Sequence, residues 1–267
     1  MKIVVFDLDE TLGYFTQLGI FWDCLSNYLK TKNNYQLSQE DFNDTLDLFP
    51  EFLRPNIINI LTYLKNKKNS KCCHKMMIYT NNQGPREWAR HITLYFEEKI
   101  KMKLFDQIIA AFKVNGKVVE VCRTSHNKTH KDFIRCSRLP QNAEICFLDD
   151  MFHPEMANDN IYYINIKPYY HDLKFEYMIE KFKGSDIFKN HIFYNALDFE
   201  KYMLSCIKQY NYDVNLKSDK EYEIDEIIGK QIIFHLQEFF NKSKKNKTRK
   251  NILNRRNKTQ RSNYNKL

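Results

Sequence analysis

The stretch Lys2-Ile3-Val4-Val5-Phe6-Asp7-Leu8-Asp9-Glu10-Thr11-Leu12 runs an apolar segment straight into two carboxylates. A short run such as Ile3 to Phe6 reads as a strand covered on both faces, and ligands of parallel α/β sheets sit beyond the carboxyl ends of such strands. Asp7 and Asp9 therefore fall where a site belongs. Two apart on one extended segment beside a turn, they converge on a common ligand only if a cation or a shared proton relieves their repulsion. Mg²⁺, a hard cation that takes oxygen ligands, meets that need.

The pattern that follows is an alternation of helical and strand signals. From about residue 13 to 53 the spacing is helical, with Phe21, Leu25 and Leu29 on one face and Ser38-x-x-Asp41 resembling a capping box ahead of Phe42, Leu46 and Phe49. Ile57, Ile58, Leu61 and Leu64 predict a helix, and Lys75 to Thr80 a second strand, so the first crossover carries a small helical insert. Pro85 begins a further helix with Trp88, Ile92 and Tyr95 on one side, and a third strand is expected at Gln107 to Phe112. Asn115-Gly116 between short apolar runs signals a projecting hairpin. A helix around Asp132 to Leu139 and strands at Glu144 to Leu148 and Ile161 to Ile166 complete an α/β pattern with a mostly parallel, doubly wound sheet. Beyond it, Leu173 to Phe182, Phe199 to Ile207 and Tyr222 to Phe240 read as helices. The last places Ile224, Ile227, Ile228, Ile232, Leu236 and Phe239 at helical spacing, as a stripe that packs on the domain.

Composition bounds the rest. The net charge of +9 is a property of the end of the chain: residues 241–267 hold 11 of the 42 Lys and Arg and no acid, leaving 31 basic against 33 acidic residues before them. That segment has almost no apolar content and is expected to be disordered, as an address or solubilising extension in preference to a weak nucleic-acid contact. Seven cysteines, an odd number without a Cys-x-x-Cys pair, predict neither a disulfide framework nor a zinc site and fit a reduced intracellular protein, cytoplasmic or nuclear. The chain enters a strand at once after Met1, and no run approaches the length of a membrane span, so neither targeting nor a membrane is expected.

Asp-x-Asp-x-Thr after an apolar strand resembles the first signature of the haloacid dehalogenase (HAD) superfamily. Phe6-Asp7-Leu8-Asp9-Glu10-Thr11-Leu12 is similar to its phosphatase branch, in particular the small C-terminal-domain and nuclear-factor-interacting types. The resemblance covers about residues 2 to 166. It implies a three-layer α/β/α, Rossmann-like sheet in the order 5-4-1-2-3. Together with the helical spacing and the charge pattern, the expected plan is a core at 1–170 carrying a small cap insert at about 13–53, C-terminal helices at 171–240, outside the resemblance, that pack on it, and the tail at 241–267.

The resemblance also assigns roles. Asp7 is the expected nucleophile, forming an aspartyl-phosphate, and Asp9 the general acid and then base. Thr80, with Asn81 in Thr80-Asn81-Asn82-Gln83-Gly84, is expected to bind phosphoryl oxygens. Two lysines compete for the charge-balancing position: Lys128, four residues before Asp132 as in the family's Lys-x-x-x-Asp, and Lys131, directly against Asp132-Phe133 as in the small C-terminal-domain enzymes. Lys128 is preferred. Ile145-Cys146-Phe147-Leu148-Asp149-Asp150 matches the fourth signature, so Asp7, Asp9 through its carbonyl, Asp149 and Asp150 are the expected Mg²⁺ ligands.

The expectation is thus a Mg²⁺-dependent phosphomonoester hydrolase. The short segment between Phe112 and Lys128 leaves little room for a lid, which favours an accessible or macromolecular substrate such as a phosphoprotein. Thr80-Asn81-Asn82-Gln83 is closer to polynucleotide 3′-phosphatases and to sugar or histidinol phosphatases, which keeps a nucleic-acid end or a small metabolite as alternatives. A reading of another class is a catalytically silent binding protein that docks partners on the sheet edge and is anchored by its basic tail.

Overall fold

The computed structural model describes residues 1–241; the expected basic tail, apart from Asn241, lies outside the described residues. In chain order the elements are β1 (Lys2–Phe6), α1 (Thr16–Asn33), α2 (Gln39–Leu48), α3 (Ile57–Asn69), β2 (Lys75–Tyr79), α4 (Arg86–Ile100) and β3 (Gln107–Ile109). The chain continues through β4 (Lys113–Val114), β5 (Lys117–Val118), α5 (His130–Ser137), β6 (Glu144–Asp149) and β7 (Ile161–Asn165). It ends in α6 (Phe175–Phe182), α7 (Asp186–His191), α8 (Ala196–Lys208) and α9 (Asp219–Asn241).

The main sheet has five strands in the order β3-β2-β1-β6-β7, every neighbouring pair parallel. Counted along the chain as sheet strands, this is the expected order 5-4-1-2-3. β1 is central because nothing in it needs solvent: Ile3, Val4 and Val5 are fully buried, and the strand pairs with both β2 and β6. The two-residue period of a strand divides the core. Val4, Phe6, Met76, Ile78, Cys146 and Leu148 face a thick helical layer. Ile3, Val5, Met77, Tyr79, Ile145 and Phe147 face α5. The hairpin β4–β5 turns at Asn115-Gly116, both with positive φ of 48° and 77°, the geometry that this dipeptide favours.

The insert helices belong to the thick layer. Phe21, Leu25 and Leu29 of α1 are fully buried, with α1 packed on α8. The capping box forms at the start of α2, where the Ser38 side chain accepts from Asp41 N and the Asp41 carboxylate from Ser38 N. α2 packs on α4 and α6. Insert and C-terminal helices thus share one apolar core with one face of the sheet. No helix among the described residues is long and apolar enough to cross a membrane.

Two expectations change. In α9 the buried stripe is Asp225, Gly229, Ile232, Leu236 and Phe239, whereas Ile224 and Ile227 are 45% and 57% exposed. The helix is turned by its two non-apolar inward positions: Asp225 meets Lys217 and Lys167, and Gly229 lets the backbone close on the Pro55 carbonyl. The cysteines are not all free either. Cys122 and Cys136 form a disulfide, because the loop ahead of α5 folds back along that helix and brings the two Cα atoms to 5.1 Å, within bridging range.

Gly229 gives a test of the α9 packing. A methyl there would lie 2.5 Å from the Pro55 carbonyl oxygen and 3.0 Å from Asn56 Cβ. On a free helix Gly→Ala stabilises; here Gly229→Ala should destabilise by about 1–3 kcal/mol, the usual cost of overpacking. Urea unfolding of the variant reads the sign directly, and a gain in stability would show that α9 does not pack this way.

Candidate active site

The carboxyl edge of the sheet collects the acids. Asp7 follows β1 and keeps its register, its N–H donating to the Leu148 carbonyl at 2.9 Å, while Asp149 closes the adjacent β6. Their carboxylates are bridged by Lys128, whose Nζ lies 2.6 Å from Asp7 Oδ1 and 2.7 Å from Asp149 Oδ2. Lys128 is 2% exposed. It is held there by the start of α5, where the Thr129 hydroxyl accepts from Asp132 N at 3.0 Å and caps the helix. The Asp132 carboxylate accepts from the Thr124 N–H and hydroxyl and so fixes the loop behind Lys128.

Asp9 lies beside Asp7 with its Oδ2 accepting from Asn82 Nδ2 at 2.7 Å. Asp150 accepts from the Thr11 hydroxyl at 3.1 Å, which ties the first signature to β6. Thr80 is buried at the exit of β2, its Oγ1 accepting from Asn82 N, which leaves the hydroxyl hydrogen to donate. The Asn81 side-chain oxygen is taken by Arg123 at 2.7 Å. Lys131 does not reach the acids. It is exposed on the outer face of α5, near Gln141 and Asn142, because the helix begins between the two lysines and its rotation carries Lys131 outward as it carries Asp132 inward. Of the pair, the structure brings Lys128 to the acids.

Several organisers were missed in the sequence. The buried guanidinium of Arg54 donates to the carbonyls of Thr11, Glu10 and Lys167, tying the loop after β1 to the loop after β7. Glu10 sits at a φ of 53°, a left-handed conformation rare outside glycine, and is held there by Arg54 and by Tyr169 N on its carbonyl. Arg123 plays a similar part between β2 and the Lys128 loop. Asn165 Nδ2 donates to the carbonyls of Asp149 and Asp150. An arginine that binds backbone carbonyls leaves no local pattern; Thr11, by contrast, stands inside the first signature.

The electrostatics are those of crowded acid. Asp7 is pushed up to about 7, mainly by burial, with Lys128 opposing and Asp149 adding. Burial also raises Asp9, against the Asn82 hydrogen bond, and raises Asp150, with Asp149 adding. Glu10 rises to about 7 through burial and the nearby Asp9 and Asp150. Asp149 goes the other way: burial opposes its charge, but the His153 ring and Lys128 outweigh it. Burial works against the Lys128 charge, and the two carboxylates still hold its pKa above the ordinary value. One lysine among these acids leaves a negative excess that a cation would relieve.

The donor set fits a hard divalent ion. One oxygen each from Asp7, Asp149 and Asp150 lie within 4.8 Å of one another. All are carboxylates, the donors that suit Mg²⁺. The Asp9 carboxylate is outside that set. No family model, curated protein or solved structure matches the chain. What the site can do follows from its geometry.

A stability test follows from the sign of the Asp7 shift. A carboxyl raised from 3.8 to about 7 holds its proton in the folded state longer than in the unfolded chain, so stability falls as pH climbs between those values. In chelator, the wild-type urea midpoint should drop between pH 4.5 and 8, and that of Asp7→Asn should drop less over the same range. Parallel profiles for the two proteins would remove Asp7 as the source of the penalty.

Proposed function

We propose that the protein is a Mg²⁺-dependent phosphomonoester hydrolase that works through an aspartyl-phosphate on Asp7. The observation that carries this reading is the Lys128 bridge between Asp7 and Asp149, with Asp9 held to one side by Asn82. A nucleophilic carboxylate, a neighbouring acid of raised pKa, a buried cation and an acid cluster at one sheet edge are the parts that phosphoryl transfer through aspartate requires.

In the proposed reaction an Asp7 oxygen forms a bond to phosphorus as the ester P–O bond breaks, and Asp9 gives its proton to the leaving oxygen. The burial that raises the pKa of Asp9 favours the protonated form needed for that step. Asp9 then takes a proton from water as the water oxygen attacks phosphorus and the Asp7–phosphorus bond breaks, releasing inorganic phosphate. Lys128 and the donors of the Thr80-Asn81 loop neutralise the phosphoryl oxygens in both steps. Asp7, Asp149 and Asp150 are the residues that would hold a divalent cation, which when bound would add positive charge to the site.

The substrate proposed first is an accessible phosphomonoester on a protein. The Thr80-Asn81-Asn82-Gln83 segment favours a polynucleotide 3′-phosphate as the second reading. Phosphate release from phosphopeptides, 3′-phosphorylated oligonucleotides and small phosphomonoesters separates the two from a metabolite enzyme, and no release from any of them in Mg²⁺ would leave a binding protein.

Asp7→Asn should reduce hydrolysis of an activated aryl phosphate to background while the fold is kept; retained turnover would sink the assignment. Asp9→Asn should lose about 10²–10⁴-fold on an alkyl phosphate, the range of general acid–base catalysis, and less on an aryl phosphate whose leaving group needs no proton. Lys128→Met should abolish turnover and Lys131→Met should not.

Chelator should remove activity and Mg²⁺ restore it, with Asp149→Ala raising the Mg²⁺ requirement more than Asp150→Ala, since Asp149 is fully buried and also holds Lys128. Full turnover in excess chelator would count against the metal.

A further inference from the structure

Arg123 has no place in the reaction as written, yet it is one of the most heavily engaged side chains near the site. It is 2% exposed. Its Nη1 donates to the carbonyls of Thr80 at 3.0 Å and Ala110 at 2.9 Å, and its Nη2 to Asn81 Oδ1 at 2.7 Å and the His126 carbonyl at 2.9 Å. The first three belong to the exits of β2 and β3, the last to the loop that carries Lys128. One guanidinium therefore spans the two sides of the phosphoryl site, lying over the Tyr79 ring at 4.8 Å.

Its own backbone is clamped from both sides onto α5. The preceding residue, Cys122, is joined to Cys136, and its carbonyl accepts from Arg135 Nε. The following residue, Thr124, donates its N–H to Asp132 at 2.8 Å. A rigid body made of α5 and its leading loop thus carries Lys128 at one end and reaches across to Thr80 and Asn81 through Arg123.

We infer that Arg123 is a positioning residue that sets the spacing between the Thr80-Asn81 loop and Lys128, and that the Cys122–Cys136 bond anchors it. As a statement about catalysis this rests on the phosphatase reading. Reduction by a dithiol tests the anchor: two electrons and two protons convert the bond to two thiols while the dithiol closes to its cyclic disulfide. The loop then loses its covalent tie to α5 and keeps only the hydrogen bonds of the Cys122 carbonyl and the Thr124 N–H.

The experiment compares the oxidised full chain with Arg123→Lys, Arg123→Ala and the Cys122→Ser/Cys136→Ser pair, on para-nitrophenyl phosphate in saturating Mg²⁺. Arg123→Ala should lower kcat by about 10²-fold, the scale set by a misplacement of about 1 Å. Arg123→Lys should recover part of that loss, because it keeps charge and reach without the fork that serves two loops at once. The Mg²⁺ requirement should stay within about twofold of wild type, since Asp7, Asp149 and Asp150 are untouched. Dithiothreitol should lower wild-type kcat reversibly and leave the cysteine-pair variant, already slowed, unchanged. Equal losses in the Lys and Ala variants that track a fall in melting temperature would reduce Arg123 to a structural role. Unchanged kcat after a thiol count confirms reduction would overturn the anchor.

Amide hydrogen exchange separates these outcomes from failure of the phosphatase reading. If the wild type hydrolyses nothing, faster exchange at both Asn82 and Thr129 in Arg123→Lys still supports the spacing role, as those N–H groups bond to Thr80 Oγ1 and the Tyr79 hydroxyl on the β2 side. Unchanged exchange at both would overturn it.

Discussion

The ammonium of Lys128 between Asp7 and Asp149 is the contact on which the rest of this site depends. Three ionisable groups buried together cost several kcal/mol each in desolvation, and a pair broken by removing one partner typically loses about 3–5 kcal/mol. The arrangement persists because the scaffold leaves no cheaper one. Asp7 and Asp149 are fixed by neighbouring parallel strands, β1 and β6, and Lys128 by the capped start of α5. With two carboxylates to one ammonium the trio keeps a negative charge, and Asp7 bears the burial penalty as a pKa near 7. Under the proposed chemistry that penalty is stored at the nucleophile.

Around the trio, two buried arginines do for loops what hydrogen-bonded ladders do for strands. Arg54 gathers the carbonyls of Glu10, Thr11 and Lys167; Arg123 gathers those of Thr80, Ala110 and His126. A guanidinium suits this work because its donors point in fixed, divergent directions within one plane. Burial lowers the pKa of Arg54 to about 10, and Asp225 of α9 is the foremost charge that counters it. Lys167, whose carbonyl Arg54 holds, is also ion-paired to Asp225, so α9 is linked to the loop bearing Asp9 and Thr11.

The same coupling appears in the apolar core. α1 of the insert and α8 of the C-terminal region bury their faces on each other, and both share a core with Val4, Phe6 and Leu148 of the sheet. An insert that spends its apolar face this way is part of the wall behind the site. The other face of the sheet is covered by α5, the element that presents Lys128 and is stapled to its leading loop by Cys122–Cys136.

The sequence by itself determined the parallel sheet, the β4–β5 hairpin and the acids at the strand ends, because these depend on short-range patterns: apolar runs of strand length, Asn115-Gly116, and carboxylates placed directly after Phe6 and Leu148. It also marked Thr80 and placed two lysines near α5. Only the tertiary structure decided between those lysines, since a three-residue step across a helix start separates a buried side chain from an exposed one, and composition cannot see that rotation. It decided the inward stripe of α9, where Gly229 and Asp225 override the run of isoleucines. It paired Cys122 with Cys136, whose spacing matches no framework, and it gave Arg54 and Arg123 their work. Their partners are backbone carbonyls, which every residue possesses, so a sequence carries no mark of which ones a folded chain will bring within reach.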